Sequence, residues 1–134
     1  MPSFLTPLLR APGVRHVLEN SRHGGLVAPH LLTAFDSAAR KKGLLGRDSL
    51  TNGTAMIIAP CSAVHTFFMR FVIDIAFVAK DGRVIKVRPA VPPRRLAAAF
   101  GAFAVVELPA GALHRADVVA GDMLLVRALS GEQS

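Results

Sequence analysis

Apolar residues run through this chain in short segments, each closed by a turn signal, and never in a long stretch at helical spacing. The punctuation is "SRHGG", "LTNGT", "KDGR", "PAVPPRR", "LPAG" and "VAGD". Short apolar segments between Gly, Pro and Asp turns predict a mainly β chain. Val14–Asn20 and Gly25–Ala34 are the first two strand candidates. Thr54–Ala59, "TAMIIA", is continuously apolar until Pro60 stops it. Val64–Met69 and Val72–Ala79 are rich in Phe, Ile and Val, the side chains that suit a pleated surface. Asp81-Gly82 is the pair that type I′ hairpins prefer, and Val84–Val91 returns from it, alternating until Pro89. Leu96–Phe100 fits helix or strand, its alanines favouring helix. Ala104–Leu108 and Met123–Ala128 complete the strands. One helix is predicted, Ser37 to about Leu44, with Asp36 as N-cap, Arg40, Lys41 and Lys42 at the negative end of its dipole, and Gly43 or Gly46 as the stop. About seven or eight strands with one or two short helices predict a mainly β, compact β-barrel-like domain, closed or half-closed.

The segment "APCSAVHTFFMRFVIDIAFVAKDGRV" holds the only cysteine, Cys61, with His65 and an aspartate inside an apolar run. A two-residue bend at Arg70-Phe71 sets Phe67 opposite Asp74 and His65 opposite Ala76. Alternation then puts Cys61, His65, Phe67 and Met69 on one face with Val72, Asp74 and Ala76, and leaves Val64, Thr66, Phe68, Ile73, Ile75 and Phe77 for the core. His65 and Asp74 become diagonal neighbours. Cys61 and His65, four residues apart, stand about 13 Å apart on an extended strand. That is too far for a nucleophile and its base, which need about 3 Å, and a poor spacing for metal ligands. Cys61 as a small buried filler and Asp74 as a structural partner of His65, Arg70 or Arg47 are the plainer readings.

Composition narrows the classes. The chain has 134 residues, 51% hydrophobic and 19% charged. That predicts one globular domain, 1–134, with flexible ends at 1–12 and 129–134. A single cysteine excludes an internal disulfide and a Cys-rich zinc site, and suits a reducing, cytoplasmic setting. The start, "MPSFLTPLLRAPGVR", lacks the basic and apolar regions of a secretory signal. The most apolar window, Leu96–Val106, is shorter than the roughly 20 residues of a membrane-spanning helix, so no membrane span is expected. Net charge is +7 at pH 7, and the pI is about 11.1. That balance permits contact with nucleic acid, but the basic residues are scattered and no aromatic-plus-basic RNA-binding signature is present. None of His16, His23, His30 and His114 pairs with another at the ligand spacing of a helix or strand, and His114 is expected in a solvated loop. Phosphate-binding loops, dinucleotide glycine patterns, zinc-protease helices and G-x-S-x-G turns are all missing. Neither a metal nor a cofactor is implied.

"RKKGLLGRDSL", then "MIIAPCSAVHTFFMRFVIDIAFVAKDGRVIKV", "VVELPAG" and "GDMLLV" resemble the small prokaryotic family known as domain of unknown function 192. The likeness runs from about residue 25 to 126. It implies a compact β-rich domain with a short helix and no established biochemical role. Its motif positions fall here on Gly43, Leu44, Arg47, His65, Phe68 and Met69, and further on at Asp74, Gly82, Glu107, Gly111, Gly121 and Asp122. The family often carries proline after "MRF", where this chain has Val72. Some relatives are exported behind a leader, and no leader is visible here.

The expectation is a non-enzymatic domain that binds a small ligand or a protein partner. The patch expected to do so is Arg47, Cys61, His65, Met69, Arg70 and Asp74, at a barrel mouth that would suit an anionic or polar ligand. The alternatives are an enzyme using Cys61 with His65, and nucleic-acid binding through the basic excess.

Overall fold

The structure is a computed structural model, and residues 2–129 of it are described. The first element is one that the hydrophobic pattern leaves as a loose end. Thr6–Arg10 forms a helix, α1, with Pro7 in its first turn, where a missing N–H costs nothing. Phe4 and Leu5 ahead of it are buried. The strands β1 (His16–Asn20) and β2 (Leu26–Ala28) follow, then β3 (His30–Ala34). The segment expected as one strand, Gly25–Ala34, is thus split at Pro29. Helix α2 spans Ser37–Lys42. Asp36 caps it by accepting from the Ala39 N–H at 2.8 Å, and Gly43 ends it at φ 46°, as the sequence predicts.

The remaining elements are β4 (Thr54–Ile58), β5 (Ala63–His65), β6 (Ile73–Val78), β7 (Val84–Val91), β8 (Leu96–Ala98), β9 (Ala104–Pro109), α3 (Ala112–Arg115) and β10 (Leu124–Ala128). Leu96–Ala98 is strand, not helix, and His114 lies in α3 with an exposed side chain. The Lys80–Gly82 turn carries its positive φ at Gly82 alone, at 100°. It is therefore not the type I′ turn expected of Asp81-Gly82, which needs two such residues. A Cβ on Gly82 would stand 2.5 Å from the Leu124 carbonyl oxygen, so this position requires glycine for space as well. The expected loose C-terminal end lies, from residue 130 on, outside the described residues.

The architecture is mainly β, as expected, but its sheets stay open and form no closed barrel among the described residues. Three sheets are present, in strand orders β10-β1-β2, β3-β4-β9-β6-β7 and β5-β8. The central sheet is mixed. β3 and β4 are parallel, which demands a crossover, and the segment bearing α2 supplies it. β6 lies between β7 and β9. It is buried along its whole length, which explains its unbroken apolar character. Alternating side chains build a core on each face. Ile73, Ile75, Phe77, Met56, Ile58 and Val105 serve one. Ala76, Val78, Ala55, Ile57, Val106 and Leu108 serve the other, beneath β1 and β10.

The hairpin around Arg70-Phe71 does not form. Both edges of β6 are taken, so β5 pairs with β8 instead, with Ala63 opposite Ala98 and His65 opposite Leu96. The strand ends at His65 because Thr66 turns inward. Its hydroxyl donates to the Pro92 carbonyl at 2.7 Å and accepts from the Arg95 N–H at 2.9 Å. Two residues later Phe68 sits at φ 70°, a left-handed conformation uncommon for a bulky side chain.

Candidate functional site

The absence of that hairpin separates His65 from Asp74. Asp74 is 1% exposed. Its carboxylate accepts from the Ala90 N–H at 2.8 Å and from the Leu113 N–H at 2.9 Å. The first contact fills the gap left where the β6–β7 register shifts between Ile73 and Ile75. The second satisfies a donor in the first turn of α3, whose N-cap, Gly111, offers no side chain. Asp74 therefore ties β7 and α3 to β6 and does not hold Arg70, Arg47 or His65. Arg70 pairs with Asp48 at 2.7 Å on the surface, and Arg47 is exposed.

Three of the six patch residues do share one cleft. Cys61, His65 and Met69 line a cavity of about 190 Å³ together with Arg40, Lys42 and Glu107. Helix α2 and the Gly43–Leu45 turn supply one wall, and the Cys61–His65 segment supplies the other. The floor is the central sheet. There alternation along β9 puts Glu107 on the same face as Val105, opposite Met56 of β4 and Ile75 of β6. A carboxyl group thus occupies a position that its neighbours fill with apolar side chains.

Glu107 is 5% exposed. Burial alone pushes its pKa up to about 7, with no hydrogen bond or cation offsetting it. Gly43 lies over it: a Cβ there would stand 3.8 Å from Glu107 Oε1. Arg40, a basic residue of the wall, donates to the Phe35 carbonyl at 2.8 Å. Burial likewise raises the Cys61 thiol, the nearby Glu107 charge acts in the same direction, and Cys61 Sγ donates to the Ala63 carbonyl at 3.2 Å. That is the reverse of an activated thiolate, which needs its pKa lowered. His65 is exposed and stacks on Phe67 with ring centroids 5.4 Å apart. Among the described residues, no three His, Cys, Asp or Glu side chains cluster as metal ligands, and no helix is long and apolar enough to cross a membrane.

A second surface escaped the sequence reading. Phe67, Phe68, Pro93, Arg94 and Arg95 line a groove of about 830 Å³. Phe68 is 83% exposed. They come from two short stretches, Phe67–Phe68 and Pro93–Arg95, that are distant in sequence, so no single local signature marks the groove. Glu107 had a usable signal, a lone carboxyl inside the fully apolar run "AVVELP", although the expected patch omits it.

An open mainly β fold with a small cleft, a carboxyl floor and a basic wall defines a class without fixing a reaction. The chain belongs to the family described as uncharacterised ACR, domain of unknown function 192, whose profile matches residues 17–126. It is similar in fold to a crystallised protein of unknown function from Novosphingobium aromaticivorans, with 24% identity, 81% of each chain covered and a TM-score of 0.70. It is similar also to a Sinorhizobium meliloti protein provisionally named a transcription regulator. There the identity is 22%, the TM-score 0.71, and the coverage 86% of this chain and 92% of that one. No curated protein matches the chain.

Proposed function

We propose that the cleft between α2 and β5 binds a small carboxylate or oxyanion, with Glu107 in its neutral form donating to it. The observation that carries this is the buried, unpartnered Glu107 carboxyl at the floor of a cleft walled by Arg40 and Lys42. Below about pH 7 the group is mainly a carboxylic acid, which has an O–H to give. The cleft volume, about 190 Å³, is below the usual drug-sized range and suits a ligand of a few heavy atoms. The carbonyl end of α2 works against an anion. The helix is only six residues long, however, and its last turn carries three cations.

Titration with acetate and inorganic phosphate, followed by backbone amide NMR shifts, tests the reading. Above pH 7 affinity falls about tenfold per pH unit, as Glu107 loses its proton. Glu107→Gln, which keeps a donor without a charge, binds as wild type at pH 6 and more tightly than wild type at pH 8. Silence with both anions, affinity that rises with pH, or loss of binding in Glu107→Gln at both pH values overturns it.

The Phe67–Arg95 groove supports a second reading, the binding of single-stranded nucleic acid. Exposed aromatic rings beside arginines are the stacking platform such binders use. An unstructured ten-nucleotide oligomer binds at about 50 mM salt and is released at higher salt, with Phe68→Ala weakening it about tenfold. Absence of binding at low salt ends this reading.

A further inference from the structure

A further cavity of about 560 Å³, larger than the Glu107 cleft, opens between β3, α1 and the start of β1. Its α1 wall and its basic end, Arg15 and His16, precede the family-matched segment 17–126. Leu9, Val14, Leu31 and Phe35 supply its apolar walls, and its ionisable lining residues, Arg15, His16 and His30, are all basic. Leu9 is 62% and Val14 44% exposed, so large apolar side chains stand uncovered at the mouth.

The basic end is unusual in its hydrogen bonding. His16 is 4% exposed, and neither of its ring nitrogens has a partner among the described residues. Buried ring nitrogens are normally paired. Arg15 Nη2 lies 3.3 Å from His30 Nδ1 and 3.3 Å from the Pro29 carbonyl. A guanidinium can only donate, so Nδ1 of His30 accepts and its proton resides on Nε2. Arg15 and His30 thus meet at one end of a cavity that His16 also lines and that no carboxylate of the described residues lines.

We infer that this cavity is a binding site for an amphipathic monoanion, a carboxylic acid with an apolar tail. The carboxylate would be held by Arg15 with His30, and the tail would lie along Leu9, Val14 and Leu31. The site is separate from the Glu107 cleft and makes no use of it.

Calorimetric titration of the full chain with octanoate, octanol and acetate near pH 7 tests the inference. Octanoate binds, octanol, which lacks the charge, binds at least tenfold more weakly, and so does acetate, which lacks the tail, in the Glu107→Met chain whose other cleft no longer takes it. Arg15→Gln lies at an exposed position and leaves the fold intact. It lowers octanoate affinity at least tenfold without changing octanol binding, and His30→Phe, also at an exposed position, does the same. Glu107→Met, which removes the donor of the other cleft, leaves octanoate affinity unchanged. Octanol binding as tightly as octanoate, or full octanoate affinity in Arg15→Gln, overturns the inference, as does no heat or spectral change with octanoate at millimolar concentration.

Discussion

Replacing Glu107 by Gln isolates the energetic consequence of a carboxyl group on the apolar face of the central sheet. The pKa of Glu107 rises from an ordinary 4.5 to about 7, with burial as the cause. Between those values the folded chain holds a proton that the unfolded chain has released. Folding stability therefore falls as pH rises through this window, at up to about 1.4 kcal/mol per pH unit. The contribution is fully present below about pH 4.5, and about 3 kcal/mol of it is gone above pH 7. Gln has nearly the same shape and no charge. Glu107→Gln should match wild type near pH 4.5 and exceed it by about 3 kcal/mol at pH 8, the full wild-type loss across this window. Urea denaturation at pH 4.5, 5.5, 6.5 and 8 measures this, and the wild-type-minus-variant difference cancels the histidines common to both chains. A flat difference curve, or a variant less stable than wild type at pH 8, would refute the argument that the carboxyl is buried without a partner.

Other consequences concern the fold and the thiol. Asp74→Ala strands two backbone N–H donors in the interior and should cost about 3 kcal/mol or more, read as a lower urea midpoint. Gly82→Ala forces a Cβ to 2.5 Å from the Leu124 carbonyl oxygen at φ 100°, and should destabilise more than any other glycine-to-alanine change in a thermal scan of the set. Asp36→Ala removes the α2 cap and should cost about 1 kcal/mol. Cys61, its pKa raised by burial, should react with iodoacetamide more slowly than a free thiol at pH 7.5; faster reaction would restore the nucleophile reading.

The sequence made the local decisions visible. Asp36, the cationic last turn and Gly43 bound α2 as predicted, and Val84–Val91 is a strand to the residue. The partnering of strands was not visible in the same way. "VHTFFMRFVIDIAF" reads as a hairpin because its two halves are adjacent and both apolar. Whether they pair depends on β7 and β9 occupying both edges of β6, and β9 begins some thirty residues after that segment. The breaks are also set at a distance: Thr66 is held by Pro92 and Arg95. The grouping of His65 with Asp74 rested on that pairing and dissolved with it. Cys61, His65 and Met69 still converge, because β5 forms a wall of the cleft without needing β6 as its partner. The helix at Thr6–Arg10 was hidden by the two prolines that flank "SFLT", one of which starts it.

Asp74 and Glu107 show how the same chemical group takes opposite parts on one sheet. They occupy neighbouring rungs of the β6–β9 ladder, Asp74 opposite Leu108 and Ile75 opposite Glu107, so their side chains leave by opposite faces. Asp74 is ionisable, buried and paired with two N–H donors, and its role is fully accounted for by the elements it joins. Glu107 is buried too, at 5% exposed against 1% for Asp74, and has only burial acting on it. An apolar side chain at 107 would remove that penalty and leave the ladder intact, because β9 pairs through its backbone. Nothing in the packing requires a carboxyl there, whereas the cleft above it presents cations and an open volume. Glu107→Met therefore separates structure from binding in one variant: it should raise stability at pH 8 by an amount similar to Gln, yet abolish the acetate and phosphate shifts that Gln retains, because only Gln keeps a donor.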